Sequence, residues 1–471
     1  MPEGVFANLH QSLRQTLQER DWSPTPVQEA TQDDIAAGKD RLVIAPTGSG
    51  KTMAAVLPLL DRCLREQWQG MSILYITPLR ALNRDVDRRL EEITESVGLK
   101  LGLRHGDTTQ SERNKQVRKP PNVMITTPET FQLMFTGSKL RLLLMDVKAV
   151  IIDEIHEMID GERGWQLSLG LSRLEQFKSS KVQRIGLSAT IGNPDQVASW
   201  LSEDTVAISA SAPRYTELSV DAIIPIPDDE VGSMELAISP RAHATLRGLA
   251  QIVEEKNPCL IFVNSRNNAE TISQRLQSIT PGLKIGVHHG SLAADTRAEM
   301  EDGLRDGSIQ ALVCTSSLEL GIDVGSINHI VQINSPRSVD RILQRVGRAD
   351  HRIGGIGSGH LLGWEADDLL ESAVISRRAM AGEIEAIEWR EKPLSVAANQ
   401  IVMMVHSHGA LPIDLVTEAI ANSNQFKGWR REDTIGLGKV LADGWVIKCE
   451  EDPESVPWYR WPFDVWQKLV D

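Results

Sequence analysis

The chain has 471 residues, and at roughly 150 residues per domain this length predicts about three domains, enough to form several cores without disulfides or metal ions. Its net charge of −14 does not favour general affinity for nucleic acid, so any polyanion would have to bind at a locally basic surface. No apolar run approaches the roughly 20 residues of a membrane helix, and residues 1–20 lack the layout of a signal peptide, so we expect a cytoplasmic protein without membrane contacts.

From residue 41 onward, short apolar runs alternate with longer segments of helical period, which is the pattern of parallel sheets with crossover helices. One set of strand candidates comprises residues 41–45, 73–77, 122–127, 149–153 and 184–188, and a second set comprises residues 259–263, 285–289, 311–315 and 329–333. Residues 223–240 contain three prolines and an acidic cluster, so we expect an exposed loop there. The pattern predicts two α/β domains, over residues 1–208 and 209–381.

The alternation stops at about Gly382, and a third domain is predicted over residues 382–471. Residues 393–409 and 414–423 have helical period, and residues 436–461 predict a helix that runs into a ribbon turned at Asp452-Pro453. Helices followed by a two-stranded ribbon are typical of a winged helix. We expect most tryptophans from position 429 onward to pack in its core, stacking on bases being the alternative.

A phosphate-binding turn is predicted between the first strand and the following helix. The turn consists of Thr47, Gly48, Ser49, Gly50, Lys51 and Thr52. The glycines let backbone N–H groups turn towards a phosphate, Lys51 can reach the β and γ oxygens, and the Thr52 hydroxyl can bind Mg²⁺. The alternative, a glycine turn before a helix, leaves the adjacent Lys-Thr pair unexplained, although the strict pattern has Gly where this chain has Ala45.

Two carboxylates, Asp153 and Glu154, end the strand at residues 149–153 and therefore reach the carboxyl edge of the sheet. Asp153 would hold Mg²⁺ through water, and Glu154 could accept the proton of an attacking water. The alternative is a solvated strand end. In the second α/β unit, Arg345 and Arg348 stand three residues apart and could stabilise charge on a γ-phosphate in the cleft between the units, although surface salt bridges are the alternative.

Several sequence motifs occur in the order in which superfamily 2 helicases carry them. They are TPVQ at 25–28, APTGSGKT at 45–52, DEIH at 153–156, SAT at 188–190, SLELGID at 317–323 and QRVGRAD at 344–350. Residues from about 20 to 365 therefore resemble superfamily 2. Longer sequence segments around these motifs most resemble the large helicase-related (Lhr) family of ATP-dependent DNA and RNA helicases. Examples are TPLRALNRD at 77–85, LSATIGNP at 187–194 and TSSLELGIDVG at 315–325. The fold class this implies is α/β, with two tandem RecA-like parallel-sheet domains followed by a small winged-helix domain.

The resemblance also implies roles for individual residues. Gln28 would read adenine, Lys51, Thr52, Asp153 and Glu154 would form the ATP and Mg²⁺ site, and Asp323 would lie near the ribose. Gln344, Arg345 and Arg348 would complete that site from the second domain. His156, Ser188 and Thr190 would couple hydrolysis to domain movement. The nucleic-acid strand would be contacted by Thr77, Arg80, Thr127, Asn264, Arg266 and Thr315.

The implied activity is that of an ATP-dependent helicase or translocase on DNA or RNA, moving 3′ to 5′. The alternatives are a motor that does not separate strands and an ATP-gated clamp on nucleic acid. Two departures from the family are visible: Asp350 stands where Gly is usual, and family members usually continue for several hundred residues, so a second polypeptide could supply the missing region.

Metal binding by cysteine or histidine is not expected. The four cysteines, at positions 63, 259, 314 and 449, lie far apart in mostly apolar surroundings and are expected to be buried thiols. His288 and His289 have no cysteine or carboxylate partner at ligand spacing, so we expect loop or core residues.

Overall fold

The computed structural model describes residues 4–46, 48–78, 90–210, 216–319, 327–349, 357–449 and 458–459. Within these ranges the chain forms two parallel sheets covered by helices, and a small unit of helices with short antiparallel strands. We call the part around the first sheet the first lobe, the part around the second sheet the second lobe, and the residues from 394 onward the third unit.

The first lobe contains, in its described residues, a sheet of seven parallel strands in the order β3-β4-β2-β5-β6-β1-β7. Most of these strands are short apolar runs buried on both faces, as expected for a sheet covered by helices. The strands are β1 Arg41–Ile44, β2 Ile73–Ile76, β3 Leu101–Arg104, β4 Val123–Thr126, β5 Ala149–Ile152, β6 Gln183–Ser188 and β7 Val206–Ser209. The order places β2, β5, β6 and β1 side by side, so the residues that follow these strands meet at one edge of the sheet.

The helices of the first lobe lie before, between and after these strands. The α-helices are Gln11–Glu19, Pro26–Ala36, Lys51–Arg65, residues 90–96, Gln110–Arg118, Pro128–Met134, Ser138–Leu143, Glu162–Lys178 and Pro194–Leu201. Short 3₁₀ turns are formed by Gly4–Asn8, Leu144–Asp146 and Ile155–Glu157.

The second lobe contains, where it is described, six parallel strands in the order β10-β11-β9-β12-β13-β8. They are β8 Thr216–Asp221, β9 Cys259–Phe262, β10 Ile285–His288, β11 Ala311–Cys314, β12 His329–Ile333 and β13 Gly357–Leu362. Its helices are Pro227–Glu235, Pro240–Lys256, Arg266–Ile279, Ala294–Arg305, Val339–Val346 and Ala366–Ala381, with a 3₁₀ turn at Ser316–Leu318. Together the two lobes confirm the predicted pair of tandem RecA-like α/β domains, whereas the domain boundaries stay predictions.

The third unit has the α-helices Leu394–His408, Ile413–Ala421 and Arg431–Asp443 and a 3₁₀ turn at Asn424–Phe426. Three two-residue strands, β14 Ala410–Leu411, β15 Lys448–Cys449 and β16 Trp458–Tyr459, pair antiparallel in the order β14-β16-β15. The predicted helix therefore does run into a ribbon, and the predicted turn at Asp452-Pro453 lies outside the described residues. Trp429 is buried and its indole N–H donates to Thr434 Oγ1 at 2.8 Å, whereas Trp445 is 61% exposed.

The third unit packs on the first-lobe helix Glu162–Lys178. Leu169 of that helix belongs to the apolar core of the third unit. Ser172 Oγ donates to Ala419 O at 2.6 Å, and Arg173 Nη1 donates to Gln400 Oε1 at 2.7 Å. Burial, with the nearby Arg141 charge, lowers the pKa of Arg173 to about 9. The first lobe and the third unit thus share a core that encloses polar contacts.

The exposed loop predicted at residues 223–240 is wrong, because this segment contains the helix Pro227–Glu235. A proline at the first helical position and acidic residues in the first turn are favourable at a helix start. Asp229 is buried: it accepts from the backbone N–H of Ile226 at 2.9 Å and pairs with Arg247 at 2.9 Å. Arg247 and this backbone N–H hold the pKa of Asp229 well below its usual range.

The nine predicted strands are confirmed to within about one residue at their ends. Cys63, Cys259 and Cys314 are free, buried thiols, as predicted, and the Cys449 side chain lies outside the described part. His288 and His289 bond to Glu301 and Glu270, each at 2.9 Å. In the described ranges no cluster of metal-ligating residues occurs, and none of the helices has the length and apolar character to span a bilayer.

Candidate nucleotide site between the lobes

The glycine turn leaves β1 and begins the helix Lys51–Arg65. Gly48 and Gly50 have φ angles of 80° and 92°, in the left-handed region that glycine adopts without strain. A Cβ on Gly50 would lie 2.6 Å from Gln28 Nε2, so the side chain of Gln28 rests directly on the turn. Gln28 Nε2 donates to Gly50 O at 3.2 Å, and its Oε1 accepts from Thr25 N at 3.0 Å. Thr47 lies outside the described residues.

Lys51 is the first residue of the helix that follows this turn, and its side chain is buried. Lys51 is only 7% exposed, and its Nζ has no hydrogen-bond partner among the residues that the structure describes. Its nearest anionic atom is Glu154 Oε2, at 3.9 Å. Because a buried charge without hydrogen bonds is costly, this atom fits an anionic ligand with several oxygens, such as a polyphosphate.

Asp153 lies immediately after β5 and is held from two sides. The Tyr75 hydroxyl donates to Asp153 Oδ2 at 2.5 Å, and the backbone N–H of Glu154 donates to Oδ1 at 2.9 Å. Burial and the Asp153 charge raise the pKa of Tyr75, and the nearby Thr52 side chain opposes this rise. Burial and the Glu154 charge raise the pKa of Asp153 to about 6. Thr52 and Asp153 thus present hard oxygen atoms next to each other, which is the donor set that Mg²⁺ prefers.

Glu154 has left-handed backbone angles, φ 44° and ψ 48°, which residues other than glycine rarely adopt. This geometry turns the chain sharply after β5 and brings its carboxylate next to Lys51. Burial opposes the ionisation of Glu154, but the charges of Lys51 and, more weakly, Arg348 keep its pKa below the ordinary value. The side chain is therefore an anion at neutral pH and is able to accept a proton.

His156 connects this carboxylate to the end of β6. Its Nδ1 lies 3.1 Å from Ser188 Oγ and 3.7 Å from Glu154 Oε2. Burial lowers the pKa of His156, so its ring is neutral near pH 7. The structure therefore brings His156 and Ser188 of the predicted coupling set together, whereas Thr190 is exposed further along the loop.

Gln344 makes a contact from the second lobe to the first. Its Nε2 donates to Glu157 Oε1 at 3.1 Å, while its Oε1 is unpaired within the described ranges. Although Glu157 as a residue is exposed, partial loss of water around its carboxylate raises its pKa to about 7. Nothing in the sequence pointed to Glu157, because a single glutamate after DEIH has no distinctive pattern.

The two predicted arginines have different surroundings. The Arg345 guanidinium bonds to Glu319 and to Gln332 Oε1, and it lies 5.1 Å from the ring centroid of Phe262. Arg348 donates to the Glu319 backbone oxygen at 2.7 Å, and its charge acts on Glu154 across the cleft. The Arg348 charge thus acts on Glu154, one of the predicted first-lobe carboxylates. The phosphate role of Arg345 stays a prediction, and its bonds inside the second lobe argue against it.

The residues predicted to follow the nucleic-acid strand lie just beyond strand ends. Thr77 follows β2 and is buried, Thr127 follows β4 and accepts from Thr130 N at 3.4 Å, and Thr315 follows β11. Asn264 lies beyond β9 and donates to Ser335 O at 2.9 Å, and Arg266 is exposed at the start of a helix. Arg80, Asp323 and Asp350 lie outside the described residues. Contacts with nucleic acid stay a prediction.

Comparison with known families supports this geometry. Residues 25–197 match the DEAD/DEAH box helicase family, and residues 244–354 match the helicase conserved C-terminal domain. The chain is 37% identical over 431 residues to the Lhr helicase/probable uracil glycosylase of Mycolicibacterium smegmatis, over 81% of this chain and 28% of that protein. It is 35% identical over 443 residues to the ATP-dependent helicase Lhr-Core of Methanothermobacter thermautotrophicus, over 89% of this chain and 51% of that protein. The chain is an Lhr-like member of superfamily 2.

A solved structure is similar over almost the whole Lhr-like chain. It is that of Mycobacterium smegmatis helicase Lhr bound to ssDNA and AMP-PNP, with a TM-score of 0.85 and 33% identity over 98% of this chain and 61% of that one. The Lhr-like chain spans about half the length, or less, of the curated relatives described above.

The Tyr75 hydroxyl gives a prediction of its own, because sequence reasoning missed it inside an apolar strand. Tyr75→Phe keeps the ring but removes the hydrogen bond to Asp153. A hydrogen bond to a charged group contributes about 1.5–3 kcal/mol, so we expect the Mg²⁺ concentration at half-maximal binding of a fluorescent ATP analogue to rise roughly tenfold.

The matched control for Tyr75→Phe is Ser72→Ala, which removes a buried hydroxyl at the opposite end of β2, where Ser72 donates to Asn122 O at 3.2 Å. We expect this control to bind Mg²⁺ and nucleotide as the wild type does. Equal Mg²⁺ dependence in Tyr75→Phe and wild type would show that the tyrosine does not hold the metal-binding pair.

Proposed function

We propose that this chain is an ATP-dependent nucleic-acid helicase or translocase, in which ATP hydrolysis between the lobes drives 3′ to 5′ movement along a single strand. One observation carries the proposal: the buried Lys51 ammonium, which has no hydrogen-bond partner in the described part of the chain, faces Glu154, and the Arg348 charge of the other lobe acts on that same carboxylate. A triphosphate placed there would contact cations from both lobes. Its hydrolysis would therefore change the contacts that hold the two lobes together.

The chemistry follows from the residues around the turn. Lys51 and the backbone N–H groups of the turn would bind the β and γ phosphates, with Gln28 beside them for the adenine. Thr52 and Asp153 would hold Mg²⁺, which neutralises phosphate charge when bound. Glu154 would take the proton of the attacking water, and Arg348 would stabilise the charge on the transferred phosphoryl group.

The nucleic-acid strand would lie across the carboxyl edges of both sheets. Hydroxyl and amide groups after the strands, with the exposed Arg266, suit phosphate and sugar contacts, which a moving enzyme needs more than base contacts. Helices followed by a three-stranded antiparallel sheet support a winged helix in the third unit. The similar Lhr structure bound to ssDNA supports single-stranded DNA as one partner.

The proposal also includes a cellular compartment and a partner polypeptide. The three free, buried thiols favour a reducing compartment, so we place the protein in the cytoplasm. Because the relatives continue beyond the region matched here, a second polypeptide could contribute what that region supplies.

The test is ATP hydrolysis with and without single-stranded DNA, RNA and a hybrid duplex, each with Lys51→Ala as the inactive control. We expect stimulation of at least about tenfold by one of the strands, and loss of both binding and turnover in Lys51→Ala because the phosphates lose their buried cation. Strand displacement measured beside triplex displacement separates unwinding from movement without unwinding. ATP binding without stimulated hydrolysis would instead support a clamp.

A further inference from the structure

Residues 384–387, which we call the strap, cross from the second lobe to the first. They lie between the helix Ala366–Ala381 and the helix Leu394–His408. The side chain of Ile384 packs on the apolar cluster of the second lobe, whereas that of Ile387 packs on the cluster of the first lobe. Three residues of chain reach at most about 11 Å, so the strap joins two surfaces that lie close together.

On the second lobe, the strap caps the helix Val339–Val346. Both carboxylate oxygens of Glu385 accept from the backbone N–H of Val339, at 3.1 and 3.0 Å. The first N–H groups of a helix have no partner within it, and in the described part of the chain the Ser338 side chain makes no capping hydrogen bond. Glu385 therefore fixes the start of the helix whose far end leads into Arg348.

On the first lobe, the strap is held by the loop after β6. The Asn193 side chain acts as a clamp: its Nδ2 donates to Ile387 O, and the Ile387 N–H donates to its Oδ1, both at 2.8 Å. A Cβ on Gly192 would lie 2.5 Å from Ile384 O and 2.6 Å from Glu385 O. The close approach therefore requires glycine at 192. This loop begins at Ser188, the partner of His156.

We infer that the strap sets the position of Arg348 relative to the nucleotide site, and that Asn193 and Glu385 are positioning residues for ATP hydrolysis. The inference rests on the proposed function. Neither residue reaches the site itself: Asn193 holds the strap on the first lobe, and Glu385 transmits that position to the helix before Arg348. Because misplacing a reacting group by about 1 Å can cost 10²-fold in rate, a loose strap slows hydrolysis without disturbing the first-lobe phosphate site.

The test compares Asn193→Ala and Glu385→Ala with wild type. We expect the maximal nucleic-acid-stimulated rate to fall roughly 10- to 100-fold, while affinity for a fluorescent ATP analogue stays within about twofold, since Lys51 and Gln28 are untouched. The matched control is Glu383→Ala, two residues before Glu385. The Glu383 carboxylate forms surface ion pairs with Arg377 at 3.1 Å and with Arg378 at 3.8 Å, and it does not contact Val339. We expect this control to retain the wild-type rate.

Two measurements separate positioning from simple loss of structure. Glu385→Gln keeps an oxygen that can accept from Val339 N–H, so we expect it to recover most of the rate lost in Glu385→Ala. The double variant of Asn193→Ala and Glu385→Ala is expected to lose less than the product of the two single losses, because both act through one segment.

Three results would overturn the inference. They are wild-type rates in both alanine variants, equal losses of nucleotide affinity and of rate, and a Glu385→Gln rate as low as that of Glu385→Ala. In each of these the wild type still hydrolyses ATP. A wild type that hydrolyses no ATP with any strand would overturn the proposed function, and the strap role with it.

Discussion

Glu154→Gln is expected to reduce ATP turnover by about 10²- to 10⁴-fold while nucleotide binding is retained. The substitution preserves the shape of the side chain beside Lys51 but leaves no group that accepts a proton. Binding does not need the carboxylate, because the Lys51 ammonium and the turn remain and the ammonium loses its competing anion. Hydrolysis at saturating single-stranded DNA, measured together with the affinity for a fluorescent ATP analogue, separates the two effects.

A matched control for this variant is Asp160→Asn, which removes an exposed carboxylate six residues further along the same segment. It is expected to hydrolyse ATP at the wild-type rate. Near-normal turnover in Glu154→Gln would move the role of base to another group, and loss of nucleotide binding would mean that the carboxylate shapes the turn itself.

Arg348→Ala and Arg345→Ala are expected to fail in different ways. Arg348 acts on the first-lobe carboxylates, so its loss is expected to lower turnover by about 10³-fold or more with nucleotide affinity little changed. Arg345 is buried against Glu319 and Gln332. Its removal leaves an unpaired buried carboxylate, and we expect it to lower the free energy of unfolding by about 3–5 kcal/mol.

Thermal unfolding and single-turnover hydrolysis distinguish the two arginine variants, with Arg341→Ala as control because Arg341 is exposed on the same helix. The control is expected to change neither quantity. If Arg345→Ala has the thermal stability of wild type yet loses turnover, then Arg345 acts in hydrolysis and the structural role assigned to it is wrong.

The sequence predicted the sheets well wherever a strand is a short, purely apolar run. It missed β3, β7, β8 and β13. LGLR, TELSVD and GSGHLL contain glycine or polar residues, and β7, VAIS, is a partly exposed edge strand, so the strand form of all four depends on the neighbours that pair with them. It also missed the helix Pro227–Glu235: proline and acidic residues are both loop signals and helix-start signals, and only the contacts of the buried Asp229 decide between them.

In the candidate site, too, the sequence predicted some groups and missed others. Motif spacing predicted the groups of one lobe, Lys51, Thr52, Asp153 and Glu154. Asp153 and Glu154 directly follow β5, and Lys51 and Thr52 follow the glycine turn that leaves β1 of the same sheet. It treated Arg345 and Arg348 as equivalent, since i and i+3 positions share a helix face and nothing local shows that Glu319 and Gln332 bind one of them. The contact of Asn193 with Ile387 joins residues 194 positions apart, and no periodicity signals such a pair.

The shared core of the helix Glu162–Lys178 and the third unit determines how many parts can move. Separating them would expose Leu169 and strip the buried Arg173 guanidinium of Gln400, at a cost of several kcal/mol. We therefore expect the first lobe and the third unit to move as one body and the second lobe to move as the other. The chain from 382 to 393 would then cross a single joint between these two bodies, and a nucleic-acid strand bound to the third unit would be displaced only relative to the second lobe.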